Sequence, residues 1–177
     1  MSRIIIKYGV ISGLISILSG LLTYTFGTDL IKNWVLNSII SLLVFGFIIF
    51  LAVAAAKEFR KSNEGIISFQ DAFIAPLGTL LVMTAFTVIF SVLLYNVIDP
   101  DYSEKTKLAV MENMEERFDK MGLEENQKIE YMESMEDRDF SFKPAKTSLI
   151  YAGVSIVIAL IIAISIKKDT NQSFDTE

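Results

Sequence analysis

The sequence predicts an all-α fold: four transmembrane helices with an extracytoplasmic helical hairpin between spans 3 and 4. Three observations carry this. Apolar residues gather in four runs, at about 8–26, 34–56, 73–97 and 149–166, each as long as the roughly 18 residues that mark a membrane-spanning helix. Basic residues collect at one set of run ends. The segment separating the last two runs is acidic, rich in methionine and periodic like a helix. The overall hydrophobic share of 52% decides little, because soluble domains approach it too.

The first run carries no charge after Lys7, and the fourth none before Lys167; the second and third carry none at all. A charge at the bilayer centre costs roughly 2.5–3.5 kcal/mol even on lenient insertion scales. One such run could be a buried core helix, but 177 residues leave no room for four. Arg3 and Lys7 precede the first run as they would in a signal peptide. Its apolar stretch is too long for one, however, and no A-x-A site follows. It reads as an uncleaved first span. Within it Gly9, Gly13, Ser16 and Gly20 share a face, the small-xxx-small pattern that lets helices approach closely in lipid. Packing within the chain is the simpler reading, and homodimerisation through this face the rival.

The second run ends at Lys57, Arg60 and Lys61. With Arg3, Lys7, Lys167 and Lys168 these make seven flanking cations on one side. By the positive-inside rule both termini are cytoplasmic, and residues 169–177 form a disordered cytoplasmic tail after a single membrane domain, 1–168.

The third run is entered through GIISFQDAF. Gly65 closes the basic loop. Ser68 stands three residues before Asp71, a variant of the capping box in which the hydroxyl accepts from the Asp71 amide and the acid reaches back to the cap's own N–H. Asp71 in the first turn also favours the positive helix end. The functional alternative makes Asp71 a proton or cation site. Pro76 lies too deep to be harmless, since it removes a helix hydrogen bond and crowds the Ala72 carbonyl. Either a short interfacial turn precedes a span restarting near Pro76, or the helix bends there.

YNVIDPDY closes the run. Pro100 disfavours helix at Asp99, so the span ends near Val97, with Tyr95 at the interface. Asp101 and Glu104 suggest a second cap-like pair, and Asp99 with Asp101 makes only a weak calcium site.

The outer segment, Asp99–Lys146, holds fourteen acids and eight bases. Met111, Met114, Phe118 and Met121 recur at helical spacing. Gly122 suits a left-handed C-terminal position, and Ile129, Met132 and Met135 mark a second helix. The hairpin, about 101–139, carries five of the seven methionines. Its seam either seals within the hairpin or forms an adaptable groove for a protein partner. In the fourth run Ser155, Ala159 and Ala163 repeat the small-residue face.

The chain has no histidine and no cysteine. That excludes thiol catalysis, Cys-ligated metal and Ser–His mechanisms, so no catalytic, metal or cofactor residue is predicted, and neither an enzyme nor a nucleic-acid partner.

In its order of parts, with the early YGVISGLIS span, GIISFQDAF, YNVIDPDY and the acidic helical insert, the chain resembles the small four-span membrane proteins of Bacteroidota grouped as domain-of-unknown-function family four-one-nine-nine. The resemblance implies an inner-membrane location and no assigned activity. It singles out Gly65, Ser68, Phe69, Ala72, Phe73, Asp99 and Pro100 for testing. The expected function is an interaction or accessory subunit of the cell envelope, in contact with lipid, with a protein partner at the hairpin or as a homo-oligomer. The alternative is a small oligomeric transporter gated at Asp71 and Pro76.

Overall fold

The computed structural model describes residues 1–32, 34–122, 124–136, 138–139 and 141–166. Lys167, Lys168 and the predicted tail at 169–177 lie outside the described residues. Six α-helices follow one another: α1 (Ser2–Lys32), α2 (Trp34–Ser62), α3 (Phe69–Leu93), α4 (Tyr102–Met121), α5 (Glu125–Glu136) and α6 (Pro144–Ile166), with a π-turn over Leu94–Ile98. No strand occurs among the described residues. The first, second and fourth apolar runs lie within α1, α2 and α6, and the third is covered by α3 together with its π-turn. The shortest of the four long apolar helices has 23 residues, or about 35 Å at 1.5 Å per residue, enough to cross the ~30 Å apolar core of a bilayer.

α3 and α2 each pack against all three of the other long helices, and α1 and α6 do not meet. The cross-section is therefore a rhombus with α2 and α3 on its short diagonal. Its core is built from small residues. Ala52, Ala56, Ala72, Ala159 and Ala163 are fully buried, joined by Ile48, Ile67, Leu80 and Ile162. Side chains this short let backbones approach closely, the arrangement that apolar solvent demands of helix pairs.

The glycines of α1 serve the same end. A Cβ on Gly9 would stand 2.6 Å from Val82 Cβ, one on Gly13 2.7 Å from Phe86 Cβ, and one on Gly20 2.9 Å from Phe90 Cε1. Partner numbers rise together, so α1 and α3 run parallel. Ser16, between them, is half-buried. This face is filled by α3 of the same chain. The Ser155–Ala159–Ala163 face of α6 is buried likewise, in a helix that packs chiefly on α3. Buried hydroxyls turn back on their own helices, Thr79 to the Ala75 carbonyl and Thr84 to Leu80, both at 2.9 Å. Among the described residues Ser12 Oγ is the exception, buried and without a partner.

Large apolar side chains point outward instead. Leu18, Leu42, Leu43, Phe50, Leu149 and Ile161 are each at least 60% exposed. An outer surface of this kind suits lipid rather than water.

Candidate functional site

The two ends of the bundle differ chemically. At the end where α2 stops, Glu64 and Gly65 take left-handed φ values of 55° and 86°, and the Gly65 N–H donates to the Arg60 carbonyl at 3.0 Å. That closes the helix and makes glycine the fitting residue at 65. Ser68 then caps α3: its Oγ accepts from the Asp71 N–H at 3.1 Å and donates to Asp71 Oδ2 at 2.9 Å. The expected reach of the acid to the cap's own N–H is replaced by this shorter loop through the hydroxyl. Phe69 is half exposed, Phe73 packs against the core, and Ala72 is fully buried. Pro76 neither restarts nor interrupts the span. It is buried inside the continuous helix Phe69–Leu93, so the interfacial-turn reading is corrected. Its missing donor leaves the Ala72 carbonyl without that bond while packing holds the helix together.

Two further links at this end have no precedent in the sequence reading. Glu58 Oε2 accepts from Lys7 Nζ at 2.8 Å and from the Tyr8 hydroxyl at 2.7 Å, tying the start of α1 to the end of α2. Arg60 donates to the Ile166 carbonyl at 3.4 Å, placing a cation at the negative end of α6. Glu58 stands between the cations Lys57 and Arg60, the one signal that pointed to it.

The opposite end holds the richer constellation. α3 does not stop at Val97 as a plain α-helix. It widens into the π-turn, whose last bond runs from the Asp99 N–H to the Leu94 carbonyl at 2.9 Å. Pro100 prevents continuation, and the Tyr102 N–H donates to the Asp99 carbonyl at 3.0 Å, which starts α4. Asp101 occupies the cap position of α4 but makes no side-chain cap bond, so the predicted Asp101–Glu104 capping pair is corrected. Asp99, rather than Asp101, does the work. It is buried, and Lys105 Nζ lies 2.7 Å from its Oδ2.

Around this pair runs a chain of rings. Tyr24 of α1 meets Tyr102 edge-on at 5.3 Å, Tyr102 meets Tyr95 at 5.3 Å, and Tyr95 stacks on Phe142 at 5.1 Å. The chain links α1, the end of α3, the start of α4 and the approach to α6. Burial pushes the Tyr102 hydroxyl above its ordinary pKa, and the bond to Asp99 raises the Lys105 ammonium. Both therefore keep their protons at neutral pH. Between α1 and α4 the pair and the rings Tyr24 and Tyr102 line a cleft of about 240 Å³.

Beyond it α4 ends at Gly122 with φ 66°, as the left-handed position requires. α5 touches only α4 among the described residues. Phe118 meets Tyr131 edge-on at 4.9 Å, and Lys128 pairs with Asp119 at 2.6 Å. Met135 is buried, whereas Met121 and Ile129 are 70% and 51% exposed. A second cleft, of about 310 Å³, opens between the two helices. Met111, Phe118, Ile129 and Met132 line it, and Glu115, Asp119, Glu125 and Glu133 rim it.

Four helices long and apolar enough to span a bilayer, with an apolar exterior and charged groups confined to the two ends, define a multi-pass membrane protein. Residues 7–168 match the family described as "Protein of unknown function (DUF4199)". The chain belongs to that family. No curated protein and no solved structure matches it.

Proposed function

We propose that this protein is an interaction subunit of a bacterial inner membrane, with both termini cytoplasmic and α4 and α5 forming an extracytoplasmic hairpin that receives a protein partner. The observation that carries this is the cleft between α4 and α5. Its floor is methionine, phenylalanine and isoleucine, and four carboxylates rim it against the single cation Lys128. Methionine surfaces adapt to varied apolar partners, and an acidic rim selects a segment with basic flanks. Among the described residues α5 is braced by no span, so it can adjust to an incoming segment. Orientation is supported by Arg3, Lys7, Lys57, Arg60 and Lys61 gathering at the opposite end of the bundle, as expected of a cytoplasmic face.

A photo-crosslinker at Ile129 in the full chain, in its native membrane, tests the reading, with one at lipid-facing Leu43 as control. A discrete adduct from Ile129 alone, lost on Glu125→Lys with Glu133→Lys, is the expected result. An adduct of twice the chain's mass would make the partner a second copy. Reporter fusions after Lys61 and within residues 122–126 should report cytoplasm and outside respectively. Solute flux in liposomes that Asp71→Asn abolishes would overturn the interaction reading in favour of transport.

A further inference from the structure

We propose that the cleft between α1 and the start of α4 holds the headgroup of a zwitterionic phospholipid bearing a primary ammonium. Depth is the first argument. The apolar spans of α1 and α3 end at Gly27 and Ile98, and the cleft is lined by Gly27 and Asp99. It therefore sits at the level where lipid headgroups begin.

Charge is the second argument. Asp99 and Lys105 face each other at 2.7 Å, but unequally: the Asp99 side chain is 10% exposed and that of Lys105 59%. Asp99 is fixed through its own backbone, bonded to Leu94 and Tyr102, whereas Lys105 is a long arm free to swing. A site that already balances one positive and one negative charge gains little from a simple cation or anion. A ligand carrying both signs replaces one internal pair with two: its ammonium takes the place of the lysine on Asp99, and its phosphate meets Lys105. Tyr24 and Tyr102 supply the aromatic wall that favours an ammonium. The preference for a primary ammonium follows from Asp99. The carboxylate accepts a hydrogen bond from an –NH₃⁺ group, as it does from Lys105, and a quaternary ammonium has none to give.

The test uses the full-length protein in nonionic detergent and follows retention of short-chain lipids by native mass spectrometry. Phosphatidylethanolamine is compared with phosphatidylcholine and phosphatidylglycerol of the same tails, and with free O-phosphoethanolamine as competitor. Saturable binding of phosphatidylethanolamine is expected, with the other two lipids weaker. Asp99→Asn should weaken it roughly tenfold or more, as for the loss of a hydrogen bond to a charged group. Thr25→Trp should do the same by filling the cleft without touching the ion pair, and it decides the matter if Asp99→Asn loses helix by circular dichroism. Equal retention of phosphatidylglycerol, or undiminished binding in folded Thr25→Trp, would overturn the proposal. Competition by free O-phosphoethanolamine as effective as that of the lipid would overturn the lipid assignment.

Discussion

Gly13→Ala tests one of the close approaches between α1 and α3. The added Cβ would lie 2.7 Å from Phe86 Cβ, whereas carbon atoms rest at about 3.5–4.0 Å. Phe86 Cβ is fixed to its backbone, so no rotamer change relieves the clash, and α1 must withdraw from α3 by roughly 1 Å. Overpacking of this kind costs about 1–3 kcal/mol, offset by the roughly 0.5–1 kcal/mol gained on replacing a helical glycine. Gly153 supplies the control, since a Cβ there meets nothing within 4 Å; Gly153→Ala should therefore be neutral or stabilising. The gap between the two variants should be about 2 kcal/mol. Gly9→Ala, facing Val82 Cβ at 2.6 Å, should behave like Gly13→Ala. Gly20→Ala and Gly78→Ala meet Phe90 Cε1 and Ile5 Cδ1, both at 2.9 Å. These atoms lie at the far ends of rotatable side chains and can turn aside, so the two variants should fall between. Reversible unfolding in mixed micelles, titrated with SDS and followed by circular dichroism, measures the series. Equal stability of Gly13→Ala and Gly153→Ala would refute the α1–α3 packing.

Ser68→Ala removes the cap of α3 and should cost about 1 kcal/mol in the same titration, with Asp71→Asn costing less because an amide oxygen still accepts from Ser68; the reverse order would show that Asp71 does more than cap. The Lys143 ammonium at 2.6 Å and the Ser141 N–H at 2.8 Å hold the Asp139 carboxyl well below the ordinary carboxylate range. Its small, solvent-screened contribution is present above the unfolded carboxylate pKa and lost as pH falls through the lowered folded value, so Lys143→Gln should move the Asp139 carboxyl ¹³C titration upward. α5 has 12 residues, too short to persist in water without support, so Phe118→Ala should speed amide exchange across Glu125–Glu136 and leave the four spans unchanged. Accelerated exchange in the spans would contradict the isolation of α5.

The spans were legible because a bilayer demands long uncharged runs. Their ends were not, because a run marks where charge begins and a helix continues past that point. α1 starts at Ser2 rather than near Tyr8 because Arg3 and Lys7 can extend toward the interface, and α6 starts at Pro144, where a first-turn proline sacrifices no bond. The glycine face of α1 was legible as a packing face, though the identity of its partner was not: only three-dimensional register brings Val82, Phe86 and Phe90 opposite it. The same limit hid the polar links. Glu58 and Tyr8 are 50 residues apart. Lys105 lies six residues after Asp99, across a turn and a proline, where neither helical nor strand spacing places neighbours. The capping role of Ser68 was readable because it depends on local chain geometry alone.

Two of the stretches that carry the family resemblance, GIISFQDAF and YNVIDPDY, turn out to be the two ends of one helix, α3, which packs on α1, α2 and α6. At the GIISFQDAF end the polar groups satisfy each other locally, Ser68 with Asp71, and set the helix start. The YNVIDPDY end is different. Pro100 would stop α3 whatever residue preceded it, yet that residue is a buried carboxylate, and burying a charge costs several kcal/mol before any partner is found. Termination does not require Asp99. Its partner Lys105 belongs to α4, so the pair sets where the outer helices sit relative to the end of α3, and it leaves charges of both signs at the mouth of an aromatic cleft. A cost of that kind, at a position where the fold asks only for a stop, is what the proposed headgroup site at the α3–α4 junction would account for.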